Sequence, residues 1–105
     1  MPGIDLNYFI RQANKLSEKI EERKKELAEL TIEGKAGDGR VVVVVNGAGE
    51  VKSIKIDPSA VDPADTSLLE DLVIAAVNAA LAQSRDQMQA ELAKISGGIK
   101  IPGLT

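Results

Sequence analysis

The chain contains no cysteine, no histidine and no tryptophan, and its aromatic residues are one tyrosine and one phenylalanine. Without thiols there are no disulfides and no thiol nucleophile. Without imidazole there is neither the usual general base near neutral pH nor a zinc site built from Cys and His. Two aromatic residues are too few for a platform that stacks single-stranded bases. A strong excess of either charge is also lacking: 13 Lys and Arg against 16 Asp and Glu leave −3. The field of the whole molecule therefore does not attract nucleic acid, and any such contact must come from a local basic patch. No run of about 18 consecutive apolar residues occurs, and no basic stretch leads into an apolar segment at the N-terminus. Neither a membrane span nor a signal peptide is expected, and the expected location is cytoplasmic.

What remains is a chain of 105 residues, 44% hydrophobic and 28% charged, the balance of one globular domain rather than a disordered segment. Asp5 is a candidate N-cap, and from Leu6 the apolar positions keep heptad spacing. One row is Leu6, Ala13, Ile20 and Leu27; the other is Phe9, Leu16, Arg23 and Leu30. A helix over about residues 5–30 follows, roughly 39 Å long. The period then changes. Residues 31–35 suit a short strand, and Gly37-Asp38-Gly39 signals a turn. Val41–Val45, within a strand over about residues 40–46, is β-branched and unrelieved by polar alternation, so it reads as a strand covered on both faces. After Asn46-Gly47-Ala48-Gly49, residues 50–57 form a third strand. Strict alternation places Ile54 and Ile56 on one face and Val51, Ser53 and Lys55 on the other. Pro58 ends it.

Ser67 and Glu70 have the spacing of a capping box for a second helix over about residues 67–95, roughly 43 Å long. Gly97-Gly98 reads as its stop, followed by a flexible tail over 96–105. The fold class is thus α+β: an α-β-β-β-α subunit, one domain over 1–105, with two long helices and a small antiparallel three-stranded sheet. Both helices exceed the diameter of about 34 Å expected of a compact 100-residue domain, and one helix pair cannot cover both faces of the valine strand. A homodimer, intertwined or packed face to face with projecting helices, resolves both problems. A monomer that folds its helices tightly over the sheet is the alternative. Val41, Val43, Val45, Ile54, Ile56 and Arg23 are the dimer or core candidates. Arg23, at a heptad d position, has three readings: it lies beyond the contact, its stem runs along the stripe, or it pairs across the interface with a carboxylate such as Glu22 or Glu26.

No catalytic or metal-binding constellation emerges. The glycines between 34 and 49 do not open a helix with Lys followed by Ser or Thr, so they are not a phosphate loop. Asp62, Asp65, Glu70 and Asp71 lack calcium-loop spacing and suit a helix N-terminus electrostatically. No cofactor and no enzymatic activity are expected. Arg11, Lys15 and Lys19, four residues apart, form a basic ridge that Lys24 and Lys25 continue with a small angular offset. Lys35, Arg40, Lys52 and Lys55 could add a second basic surface. Without base-reading motifs, such groups favour the phosphates of double-stranded DNA over its base edges. The alternative is a non-catalytic interaction or scaffold module whose projecting helices hold a protein partner.

Several segments together resemble the YbaB/EbfC family of bacterial nucleoid-associated proteins. They are the Gln/Lys/Glu-rich first helix, the Gly-rich turn into Val41–Val45 with Asn46-Gly47, and Ile56-Asp57-Pro58-Ser59. Further on come Leu69-Glu70-Asp71-Leu72-Val73, Ala75-Ala76, Asn78 and Ala80, then Ser96-Gly97-Gly98 and Pro102-Gly103. The resemblance implies a subunit that dimerises through its sheet region, with long helices projecting like tweezers, and DNA binding in the nucleoid with modest sequence preference. It implies no enzyme activity and no cofactor. The family's basic helix residues map onto Arg11, Lys15 and Lys19, with Lys24 and Lys25 as poorer matches. The chain departs from a basic pattern in the second half of its last helix, where Arg85 and Lys94 stand beside Asp86 and Glu91.

Overall fold

The computed structural model describes residues 5–98; the first four residues, and residues 99–105 of the tail expected over 96–105, lie outside them. The elements are α1 (Leu6–Ala28), β1 (Ile32–Ala36), β2 (Val41–Val45), β3 (Val51–Ile56), a 3-10 turn at Pro58–Ala60, and α2 (Thr66–Gly98). The sheet is an antiparallel meander in the order β1-β2-β3. The subunit is a rod, 76 × 22 × 16 Å, with a radius of gyration of 20.4 Å, far above the value of about 13 Å for a compact chain of this length.

The turns account for the meander. Arg40 N–H donates to the Gly37 carbonyl at 3.2 Å, and the two residues between, Asp38 and Gly39, have φ of +56° and +83°. That positive pair matches the right-handed twist of the flanking strands. At the other end Asn46 and Gly49 close the loop, Gly49 at φ +83°.

Directly opposed residues of an antiparallel pair share a face. Gly34, Val43 and Ile54 are one such row, and Ala36, Val41 and Ile56 another. On this inner face Val41, Val43 and Val45 are fully buried beneath Ala76 and Ala80 of α2. Gly34 makes the approach close: a Cβ there would overlap the Ala76 carbonyl oxygen and sit 2.8 Å from the Ala80 Cβ. The valines are therefore core within one subunit. Val42 and Val44, on the outer face, are only half-buried, so the expectation of a strand covered on both faces does not hold in one subunit.

Three local expectations need correction. Lys52 is an extra residue between the pairs Val44–Ser53 and Val45–Val51. Such a bulge shifts the parity of the strand, so Val51 joins Ile54 and Ile56 instead of Ser53 and Lys55. The capping box of Ser67 and Glu70 does not form: α2 has begun at Thr66, and the Ser67 hydroxyl donates to Asp65 Oδ1 at 2.7 Å. The backbone of α2 also continues through Gly97 and Gly98, since glycine weakens a helix by about 1 kcal/mol without forbidding it. At the other helix, α1 stops at Ala28. The N–H groups of Glu29 and Leu30 reach back three residues to Glu26 and Leu27, both at 3.1 Å, which tightens the last turn.

Candidate functional site

The first half of α2 lies over β1 and β2, while its second half leaves the sheet and runs beside α1. In α1 only Leu27 is buried; Phe9, Gln12, Leu16 and Ile20 are half-exposed along the heptad seam. Arg23 belongs to this seam. Its guanidinium pairs with Glu26 at 2.6 Å and, through Nε, with Glu91 of α2 at 3.3 Å. The sequence offered Glu26 as a partner across an interface, whereas here it pairs with Arg23 within α1; it gave no signal for Glu91, which comes near only once the two helices lie antiparallel.

Arg11, Lys15, Lys19, Lys24 and Lys25 are all exposed, but Lys24 and Lys25 do not continue the ridge: in the unbroken helix α1 they stand about 140° and about 120° round the axis from Lys19. Lys24 pairs with Glu21 at 3.8 Å in the carboxylate-rich half of the helix nearest the sheet. Among the described residues no ion pair engages Arg11, Lys15, Lys19 or Lys25. From Leu6 to Ser17 the helix carries Arg11 and Lys15 and no carboxylate. At about 3.6 residues per turn, Arg11 and Lys15 project away from the seam while Lys19 reaches its margin. There Lys19 faces a shallow cleft of about 300 Å³ that Lys94 and Arg23 share with Glu22 and Glu26. Arg11 to Lys19 spans roughly 12 Å along the axis, the width of a DNA major groove.

The second group of cations does not form one surface. Lys35 and Lys55 flank Val42 on the outer face of the sheet, and Lys35 is paired with Glu33 at 3.7 Å. Arg40 is half-buried and folds back on its own turn, its Nε donating to the Gly37 carbonyl at 2.9 Å. It also lies near Asp57, whose carboxyl is held below its ordinary range by the Ser59 N–H, then by the Ser59 hydroxyl, with a smaller contribution from Arg40.

An apolar surface that sequence reasoning placed only in part lies where α2 fails to reach β3. Ile54 and Ile56 stand 45% and 40% exposed on the inner face, and Ile74 on the adjoining flank of α2 is 58% exposed. A recess of about 490 Å³ joins the two sides between Ile56, Leu69, Val73 and Ile74. The bulge at Lys52 brings Val51 onto the same surface, and nothing in the local sequence marks that bulge. Residues Thr66–Ile95 also meet the length and composition of a bilayer-crossing helix, with a mean hydropathy of 1.2 over the most apolar stretch. In this fold that apolarity is spent on the sheet and on the open flank. Among the described residues no group of three carboxylates is placed to hold a metal ion.

Comparison with known proteins agrees with this architecture along the whole chain. A nucleoid-associated protein of Myxococcus xanthus is 74% identical over 105 residues, all of both chains. A nucleoid-associated protein of Anaeromyxobacter sp. is 48% identical over 101 residues, 96% of this chain and 98% of that one. A crystal structure of an uncharacterized Helicobacter pylori protein superposes with a TM-score of 0.80 over 89% of this chain and 98% of that one, at 17% identity, which establishes the α-β-β-β-α fold independently of close sequence likeness. The model of one family matches residues 1–99, and the chain belongs to that family, the YbaB/EbfC DNA-binding family.

Proposed function

We propose that the chain works in the bacterial cytoplasm, at the nucleoid, as a non-enzymatic homodimer that holds duplex DNA by its phosphate backbone with little base specificity. The observation that carries this reading is the concentration of exposed cations engaged in no ion pair among the described residues, Arg11, Lys15 and Lys19, on the projecting helix. Exposed cations on a rigid helix can meet phosphate oxygens without first breaking an ion pair, and phosphate contacts carry no base information. A dimer bears −6, twice the subunit charge. Attraction therefore acts only at short range, and the complex is strongly sensitive to salt.

The open surface of Ile54, Ile56 and Ile74 supports the homodimer, in which a second copy covers it. β3 is a sheet edge that α2 leaves uncovered, and an exposed apolar edge invites pairing. A two-fold axis lets each copy shelter the same surface of the other. In this reading protein, not lipid, covers the apolar flank of α2.

Titration of a labelled duplex at low and moderate salt tests the function. Binding in the micromolar range at low salt is expected; no binding at about 50 µM protein overturns the proposal. Replacing Arg11, Lys15 and Lys19 together by Ala should weaken binding about equally on unrelated sequences. It should also flatten the salt dependence by about 0.9 per lost phosphate contact. A protein partner retained unchanged by that triple variant, while DNA is not bound by the parent chain, would favour the scaffold reading.

A further inference from the structure

The turn between β2 and β3 does more than reverse the chain. Asn46 is 2% exposed; its Oδ1 accepts from the backbone N–H groups of Ala48 and Glu50, both at 3.0 Å, and its Nδ2 donates to Glu50 Oε1 at 2.9 Å. The turn is thereby held rigid from within. Outward, it grips both helices. The buried Ser84 hydroxyl of α2 donates to the Asn46 carbonyl at 2.9 Å, at the place where α2 leaves the sheet. The Gly47 N–H donates at 2.8 Å to the Leu27 carbonyl, which also accepts from the Leu30 N–H at 3.1 Å in the last turn of α1. The approach is close enough that a Cβ on Gly47 would lie 2.5 Å from the Leu27 oxygen and 2.9 Å from the Leu27 Cβ.

We infer that the Asn46-Gly47 corner, with Ser84, is the joint that sets the direction of the α1 arm, and that Gly47 and Ser84 are positioning residues for the cations that arm carries. Leu27 is the one buried residue of α1, so the joint acts at the only firmly held end of a long lever. Arg11 lies roughly 24 Å farther along the helix. A displacement of one atom's width at Leu27 becomes a swing of several ångström at the basic ridge. In a dimer it alters the spacing of two ridges that must meet phosphates on one duplex. The inference rests on the DNA-binding reading for its consequence but not for its geometry.

The turn supplies its own control. Gly49 takes φ +83°, yet a Cβ there would meet nothing. Gly49→Ala strains the turn without touching either helix, whereas Gly47→Ala drives a wedge between turn and α1. Because the chain has no cysteine, spin labels can be placed at Ser17→Cys and Ser53→Cys, one on the arm and one on the sheet. Labelled chains are diluted with unlabelled chains so that only distances within a subunit are read. Gly47→Ala should shift the mean label distance, lower duplex affinity about tenfold and reduce the salt slope by about 1. Gly49→Ala should leave the distance and the slope as in the parent, even if it melts earlier. Should Gly47→Ala not fold, Ser84→Ala, which removes only the hydroxyl, should broaden the distance distribution and lower the slope in the same sense. An unmoved label distance in the Gly47 or Ser84 variant overturns the joint. A moved distance with unchanged affinity and slope overturns its role in positioning. Failure of the parent chain to bind duplex overturns the proposed function instead, and leaves the geometry to be judged on the distances alone.

Discussion

The body of the subunit and its arm are built on opposite principles. In the body, small residues bring backbone against backbone: Gly34 meets Ala76 and Ala80, and Val41, Val43 and Val45 of β2 are sealed beneath them. In the arm, two helices touch along a half-exposed seam in which Leu27 is the buried residue of α1 and, among the described residues, Arg23 to Glu91 is the ion pair between them. Dense packing resists even a methyl group, whereas a solvated seam tolerates change. The difference teaches that stability resides in the sheet and in the first half of α2. The arm is a scaffold for surface charge, and its direction depends on the few contacts at its base.

The largest effect should come from breaking the body. Gly34→Ala places a Cβ inside the backbone of α2, and denaturant melts should show a loss of at least about 3 kcal/mol or no cooperative fold. A slightly smaller effect is expected at the surface where the body is incomplete. A double change of Ile54 and Ile74 to Asp should leave the subunit folded by circular dichroism. Sedimentation should show association weakened at least about a hundredfold, the scale of an unpaired charge of about 3 kcal/mol at a buried contact. Unchanged sedimentation would move the dimer interface elsewhere.

The arm should respond more mildly. Arg23→Met removes both ion pairs but keeps an apolar stem in the seam. With the Arg23 side chain 43% exposed and that of Glu91 18% exposed, solvent screens the pair, and thermal melts should move by no more than about 1 kcal/mol in either direction. The smallest effect is at Asp57. Its folded pKa lies below the ordinary value of 3.8, so its contribution to stability is complete above that value and fades as pH falls through the lower folded value. Asp57→Asn should therefore flatten the acid limb of a stability profile below pH 3.8 and leave the neutral region unaltered in slope. An unchanged acid limb would show that the Ser59 contacts do not favour the charged form.

Much of this plan was legible along the chain because it rests on short-range chemistry. Asp5 does cap α1, its carboxylate accepting from the Tyr8 N–H at 3.3 Å. Glycines mark both turns, and five successive valines announce a strand, of which the subunit seals one face. The basic ridge was also readable, since helical spacing alone places Arg11, Lys15 and Lys19 near one another. What escaped depended on neighbours distant in sequence. The bulge at Lys52 follows from pairing with β2, and it moves Val51 to the opposite face. Glu91 becomes a partner of Arg23 only through the antiparallel helix pair. Gly47 reads locally as a turn residue, and its closeness to Leu27 exists only once α1 folds back on the loop.

The order of residues by itself determined the element types, the lack of thiol and imidazole chemistry, and which helix carries a ridge of cations, because propensity, periodicity and composition are local properties. The tertiary structure alone decided which apolar residues are sealed and which stay open, which cations are neutralised, and where the arm points. Those outcomes depend on distances between atoms that the chain brings together only by folding, and burial and ion pairing vary steeply with distance.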